Sequence, residues 1–340
     1  MKILIIGPSW VGDMLMSQSL YKHLKQQNPA REIDVLAPNW CRPVLARMPE
    51  INQAIEMPVG HASLQWSLRK KIGKQLAQTG YEQAFILPNS LKSALIPWFA
   101  KIPTRTGWRG EMRYGLLNDL RVLDKDAFPL MVQRYVALSQ PSETSALALD
   151  NILYPRLTVD DKQRIKALEQ FSLTTDQAIA FCPGAEFGPA KRWPDYHYAS
   201  LAKKLIADGY QIWLFGSAKD HDTCQQIQNQ LTSNEQASCH NLAGETSLPQ
   251  AIDLISQCKA AVSNDSGLMH IAAAVNTPLV ALYGPTSPDF TPPLSQQAEI
   301  IRLIDGFHKI RKGDADQGYH QSLIDIRPDM AYTALQQWLK

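Results

Sequence analysis

The stretch Ile3-Leu4-Ile5-Ile6-Gly7-Pro8-Ser9-Trp10-Val11-Gly12-Asp13 decides how this chain folds. Four apolar residues without polar alternation read as a strand buried on both faces. The run stops at Gly7-Pro8. Met14, Leu15, Leu20, Tyr21 and Leu24 then recur at helical spacing, as far as Asn28-Pro29. Ile33-Asp34-Val35-Leu36 reads as the next strand. Strand, Gly turn, helix and strand in that order begin a parallel sheet with right-handed crossovers.

The alternation continues outward from there. Strands are expected near 53–57 and 83–87, with helices near 41–47, 64–78 and 90–100. Residues 140–158 lack a period and contain two prolines, so they read as a connector. Beyond it, strands are expected at 178–182, 211–215, 260–263 and 278–283. The matching helices are expected at 195–208, 219–231, 247–258 and 266–275, and 329–340 reads as a terminal amphipathic helix. The fold class is therefore α/β: two tandem Rossmann-like parallel-sheet domains, residues 1–155 and 156–325, facing a central cleft. Residues 326–340 are expected as a terminal helix packing back on the N-terminal domain.

Composition excludes several classes. The chain has 340 residues, 45% apolar and 19% charged, enough for two cores. Its five cysteines are odd in number, scattered and without a CxxC pair, which argues against a disulfide framework or zinc site and for reduced, cytosolic thiols. The N-terminal apolar run is too short for a signal peptide. No run approaches the roughly 18 apolar residues of a membrane-crossing helix.

A net charge of +2 argues against a general nucleic-acid binder. It conceals an asymmetry. Residues 1–150 hold 18 basic and 12 acidic side chains; residues 151–340 hold 16 and 20. Residues 61–121 alone carry ten basic against three acidic, which points to an anionic partner on one face.

Three loops carry candidate chemistry. Gly7–Asp13 lacks the third-position Gly of GxGxxG, and Asp13 stands where a phosphate-binding P-loop needs Lys. Asp13 then reads either as a helix cap or as a general base for a hydroxyl nucleophile. In Phe181–Pro194, a Gly-rich turn with Gly184 precedes Lys191-Arg192, which suits phosphate binding as well as a solvated loop. In Asn264-Asp265-Ser266-Gly267-Leu268-Met269-His270, a small polar loop enters a helix. Its N-terminus suits either plain capping or an anion, and His270 shares a face with Gly267.

The basic segment includes Lys92, Arg105, Arg109 and Arg113, with Arg69, Lys70, Lys71 and Lys74 upstream. Residues 106–115 interleave arginines with Trp108 and Tyr114, a pattern that serves phosphates, sugars or RNA. Asp220 and Asp222 follow a strand end, where an acid can hold ribose hydroxyls. HExxH, EF-hand and GxSxG patterns are absent, so no metal site is expected.

At 7–21, 88–100, 105–119, 181–194, 264–274 and 311–326 the chain resembles the lipopolysaccharide-core heptosyltransferases, inverting glycosyltransferases of GT-B architecture. The resemblance spans essentially the whole chain. It implies transfer of L-glycero-D-manno-heptose from ADP-heptose to the first heptose of the lipid A–Kdo inner core. Residues 1–155 become an acceptor domain and 156–325 a nucleotide-sugar domain. Asp13 corresponds to the catalytic base and Lys191 to a cation beside the diphosphate. Asp265, Ser266, Gly267 and His270, with Gly184, correspond to the nucleotide-sugar site. Lys92, Arg105, Arg109 and Arg113 correspond to the region facing the anionic acceptor.

No cofactor is expected to be required, with Mg²⁺ at most stimulatory, and nucleic acid is not expected as a partner. The implied location is cytoplasmic, peripheral at the inner face of the inner membrane. The competing readings are a transferase acting on the heptose-free core or using another ADP-sugar, a nucleotide-sugar epimerase, and a non-enzymatic RNA- or membrane-surface binder.

Overall fold

The computed structural model describes all residues except 59–62, 175–176, 187, 307–312 and 340. Phe187 of the second Gly loop and Arg311-Lys312 of the last resembling stretch thus lie outside the described residues. The chain divides into two compact units, Met1–Leu157 and Thr158–Lys340.

The first unit contains strands β1 (Lys2–Ile6), β2 (Glu32–Ala37), β3 (Gln53–Glu56), β4 (Gln83–Ile86), β5 (Thr104–Trp108) and β6 (Asp119–Arg121). Its helices are α1 (Val11–Gln27), α2 (Arg42–Leu45), α3 (Trp66–Leu76), α4 (Leu91–Phe99) and α5 (Met131–Ala137). The sheet order is β3-β2-β1-β4-β5-β6, and every pairing is parallel. Ile3 to Ile6 are buried, as a strand with helices on both faces requires.

The second unit contains α6 (Asp161–Gln170), β7 (Ala178–Cys182), α7 (Asp195–Ala207), β8 (Gln211–Leu214), α8 (His221–Asn229), α9 (Ser233–Gln236) and β9 (Cys239–Asn241). It continues with α10 (Leu248–Ile255), β10 (Ala260–Asn264), α11 (Gly267–Ala274), β11 (Leu279–Leu282), β12 (Ala298–Ile301), α12 (Gln321–Ile324) and α13 (Pro328–Leu335). Its parallel sheet runs β12-β11-β10-β7-β8-β9, the same topology as the first. In both sheets the strand order reverses beside the first strand. The switch points lie between β1 and β4 and between β7 and β10, where open α/β sheets bind ligands. Two Rossmann-like lobes of this kind are those of the GT-B fold.

The structure departs from the sequence reading in specific places. Strands β5, β6, β9 and β12 were not anticipated. Three of them are sheet edges only three or four residues long, too short to show a pattern. β5 is obscured by its arginine and glycine, yet Thr106, Gly107 and Trp108 are buried. Helices α5 and α6 were also missed.

The connector is not a loose tether. Gln18 of α1 donates to the Arg156 carbonyl at 2.7 Å and accepts from the Arg156 N–H at 2.9 Å. Lys22 donates to the Tyr154 carbonyl at 2.7 Å, so the segment is laced along α1. The terminal helix α13 packs on α7, β11 and β12 of its own unit. The five cysteines are buried and form no disulfide.

Candidate active site

In the second unit the site is organised by Asn264, the fully buried last residue of β10. Its amide donates to the Pro183 carbonyl at 2.7 Å. Its Oδ1 accepts from the Trp193 N–H at 3.0 Å and the Tyr198 hydroxyl at 3.2 Å. One side chain thereby holds both ends of the Gly-rich turn against the neighbouring strand. The sequence reading left Asn264 in the polar loop, one residue past the strand expected at 260–263. The N-cap of α11 is Ser266, in extended conformation and without a side-chain capping bond. The first N–H groups of α11 are therefore not satisfied by their cap, which is the condition for an anion site at a helix start.

Beside this helix start, Lys191 Nζ lies 2.9 Å from Asp265 Oδ2, and both side chains are largely buried. Lys191 closes a short helical turn, Pro189–Lys191, that follows Gly188 at φ +102°, a conformation suited to glycine. His270, one turn into α11, is only 6% exposed. Burial lowers its pKa to about 4; the Asp265 charge opposes that shift and the Lys191 charge reinforces it. His270 is thus a neutral imidazole at neutral pH. The structure brings Lys191, Asp265, Ser266, Gly267 and His270 together at the β7/β10 switch point.

Gly184 sits in the adjacent turn for a steric reason. A Cβ there would lie 2.6 Å from Asp220 Cγ. Asp220 is fixed, since its Oδ2 accepts from the Ser217 N–H at 2.9 Å and from the Ser217 hydroxyl at 2.7 Å. Arg192 Nη2 lies 3.7 Å from its other oxygen. Asp222, by contrast, has a side chain 99% exposed. Of the two acids competing in the sequence, only Asp220 faces the Gly184 turn.

In the first unit, the Gly7 loop follows β1 at the other switch point. A Cβ on Gly7 would lie 2.9 Å from Met14 Cε and 3.1 Å from Val35 Cγ1, so glycine permits the turn to lie on the sheet. Trp40 Nε1 donates to the Ser9 carbonyl at 2.8 Å and braces the loop from outside. Asp13 is half-buried in the first turn of α1, three residues past the N-cap Trp10, and so does not itself occupy the cap position. A carboxylate there is favoured by the helix dipole. Its charge is felt by the thiol of Cys41, which burial pushes up to about 12 with Asp13 adding to the shift. The phenol of Tyr135 is likewise raised by burial and by Asp13.

The basic segment divides on inspection. Arg113, expected to face the acceptor, is 1% exposed. It donates to the Pro88 carbonyl at 2.7 Å, to Asn89 Oδ1 at 3.3 Å and to the Trp108 carbonyl. Burial draws its pKa down to about 10. Arg105 donates from Nε to the Leu116 carbonyl and from Nη1 to that of Ile102, both at 2.6 Å. These two guanidiniums are internal braces, supplying donors to carbonyls at strand ends and turns. Arg113 holds the loop after β4, which borders the switch point. Arg109 is exposed and Lys92 half-exposed, so both can meet a ligand.

A profile for glycosyltransferase family 9 (heptosyltransferase) matches residues 69–320. The chain is 62% identical over 332 residues to lipopolysaccharide heptosyltransferase 2 of Escherichia coli K12, covering 96% of this chain and 95% of that protein. It is 63% identical over 332 residues to the protein of the same name from Salmonella typhimurium, with the same coverage. Among solved structures, it matches the E. coli ADP-heptose LPS heptosyltransferase II with a TM-score of 0.90 and 58% identity, over 100% of this chain and 98% of that one. A glycosyl transferase family 9 structure from Veillonella parvula shares the fold at TM-score 0.83 and 20% identity. The chain belongs to glycosyltransferase family 9, the heptosyltransferases.

Proposed function

We propose that this protein transfers L-glycero-D-manno-heptose from ADP-heptose to the first heptose of the lipopolysaccharide inner core, with inversion. The Lys191–Asp265 pair at the uncapped start of α11 carries this reading, because the departing ADP needs a fixed cation and free N–H donors. The names of the relatives supply the substrate class.

In the reaction, Asp13 takes the proton of the acceptor hydroxyl. That oxygen forms a bond to the anomeric carbon as the bond to the diphosphate oxygen breaks, and the electron pair leaves with ADP. Lys191 and the N–H groups at Ser266-Gly267 stabilise the growing negative charge. Gly184 makes room for Asp220 beside the nucleotide turn, and neutral His270 offers the nucleotide a hydrogen bond. Lys92 and Arg109 contact the anionic acceptor.

Side chains and helix amides neutralise the diphosphate, so no step calls on a metal, and full turnover in chelator is the expected result. Among the described residues no helix is long and apolar enough to cross a membrane. The acceptor is membrane-anchored, so the enzyme works as a peripheral protein at the inner face of the inner membrane.

The deciding experiment is turnover of ADP-heptose with cores truncated after zero or one heptose. Transfer only to the one-heptose core is expected. Transfer to the heptose-free core would make the chain a first-heptose transferase, and product from donor alone would make it an epimerase.

A further inference from the structure

Helix α3 is fixed to α4 at unusually short range. A Cβ on Gly73 would lie 2.4 Å from Phe99 Cβ and 2.8 Å from the Ile96 carbonyl, so only glycine lets the backbones approach this closely. Arg69 of α3 is buried and donates to the Lys92 carbonyl of α4 at 3.1 Å and to that of Leu64 at 2.7 Å. The two helices pack as one layer.

That layer leaves large aromatics outside. Trp66 is 48% and Trp98 41% exposed. They flank Phe99 edge-on, with ring centroids 5.1 Å and 4.9 Å away. Trp66, Lys70 and Lys74 recur at i, i+4 and i+8, one stripe along α3. Lys70, Lys71 and Lys74 are exposed, as is Lys101 three residues past Trp98. The single acidic residue between Glu56 and Glu111 is Glu82, which lies 3.6 Å from the N-terminal ammonium. Among the described residues no carboxylate pairs with Lys70, Lys71, Lys74 or Lys101, so the charge beside the aromatic cluster is positive.

We infer that the α3–α4 layer is the surface that seats on an anionic phospholipid bilayer, with Trp66 and Trp98 at headgroup depth and the lysines against the lipid phosphates. The inference rests on the proposed membrane-anchored acceptor. The lysines favour a bilayer over a protein. Tryptophan, with an apolar body and a polar edge, fits headgroup depth but also serves protein interfaces, so its weight comes from the lysines around it. Lysine is depleted in protein interfaces, whereas clustered lysines draw a surface to anionic lipid.

The test is flotation with vesicles of phosphatidylcholine containing or lacking phosphatidylglycerol, without ADP-heptose. Wild type should float with the anionic vesicles and release as NaCl rises from about 0.05 M to about 0.5 M. Trp66→Ala/Trp98→Ala and Lys70→Glu/Lys74→Glu should each lower partitioning by about tenfold or more. The lysine pair is exposed, so it reads the surface even if the tryptophan pair loosens the fold. Equal flotation with neutral vesicles, wild-type flotation of both variants, or loss of a self-associated species instead of flotation would overturn the inference.

Transfer to a lipid-free core is measured alongside. A wild type that floats but transfers no heptose leaves this surface standing and sinks the proposed function. One that transfers heptose but never floats does the reverse.

Discussion

Lys191 and Asp265 form a 2.9 Å ion pair at the C-terminal edge of the second sheet, between residues 74 positions apart in the chain. Asp265 holds the ammonium in place beside the start of α11, where a departing diphosphate needs it. Lys191→Ala is expected to lower kcat/KM by about 10²-fold or more, the scale of losing one fixed group that stabilises developing charge. Asp265→Ala should also reduce it. Because the residues act as a unit, Lys191→Ala/Asp265→Ala should lose less than the product of the two single effects. Steady-state kinetics of the three variants check this, and strictly multiplicative losses would refute the coupling.

Asp13→Asn keeps the size of the side chain and removes the base. Turnover should fall by about 10²–10⁴-fold while ADP-heptose affinity, read by calorimetry, stays near wild type. Turnover within a few-fold of wild type would remove Asp13 from the mechanism.

Gly184→Ala places a methyl group against the fixed carboxylate of Asp220. The turn must shift, at a cost of about 1–3 kcal/mol, and donor KM should rise. Adding Asp220→Ala should restore part of the stability because it removes the obstacle. A thermal-melt comparison of the single and double variants tests this, and no recovery would mean the clash lies elsewhere.

Arg113 and Arg109 should separate cleanly. Arg113→Ala removes the donor to the carbonyl of buried Trp108 and one of two donors to the Pro88 carbonyl, so it should destabilise the first unit by about 1–3 kcal/mol. Arg113→Lys should not rescue it, since an ammonium cannot reproduce the planar fork. Exposed Arg109→Ala should leave Tm unchanged and raise acceptor KM. Chemical denaturation and acceptor titrations measure the two effects; a stable Arg113→Ala protein would contradict the bracing role.

His270 gives the fold a pH dependence of known sign. Burial puts its folded pKa near 4, below the ordinary value of 6.5, so the folded state resists protonation more than the unfolded chain does. Its contribution is fully present above pH 6.5 and is lost progressively as pH falls toward about 4. His23, His197 and His240 are also lowered by burial and add to the trend. Thermal melts between those pH values should show a shallower loss for His270→Gln than for wild type; parallel curves would exclude the assignment.

Much of the fold was legible because parallel strands buried on both faces write continuous apolar runs. β1, β2, β7, β10 and β11 were readable for that reason. β6, β9 and β12 were not, since an edge strand of three or four residues carries no period. In the site, Gly184, Lys191, Asp265, Ser266, Gly267 and His270 were picked out by the strand–loop–helix pattern, and the structure clusters the last five. Asn264 was undervalued. Its place at the head of a polar loop conceals that it ends the strand and holds the neighbouring turn.

The sequence by itself determined the alternation of strand and helix, the two Gly-bearing turns, and the excess of positive charge between residues 61 and 121. Only the tertiary structure decided which charges remain available. Arg105 and Arg113 read like Arg109, but folding delivers backbone carbonyls to them, one from 25 positions away. A guanidinium surrounded by such acceptors is consumed internally, because the carbonyls replace the water its N–H donors give up on burial. Among the described residues Lys70, Lys71 and Lys74 meet no such acceptors, and they stay exposed on α3. Which cations brace the protein and which face outward is a matter of proximity, and proximity is set by the fold.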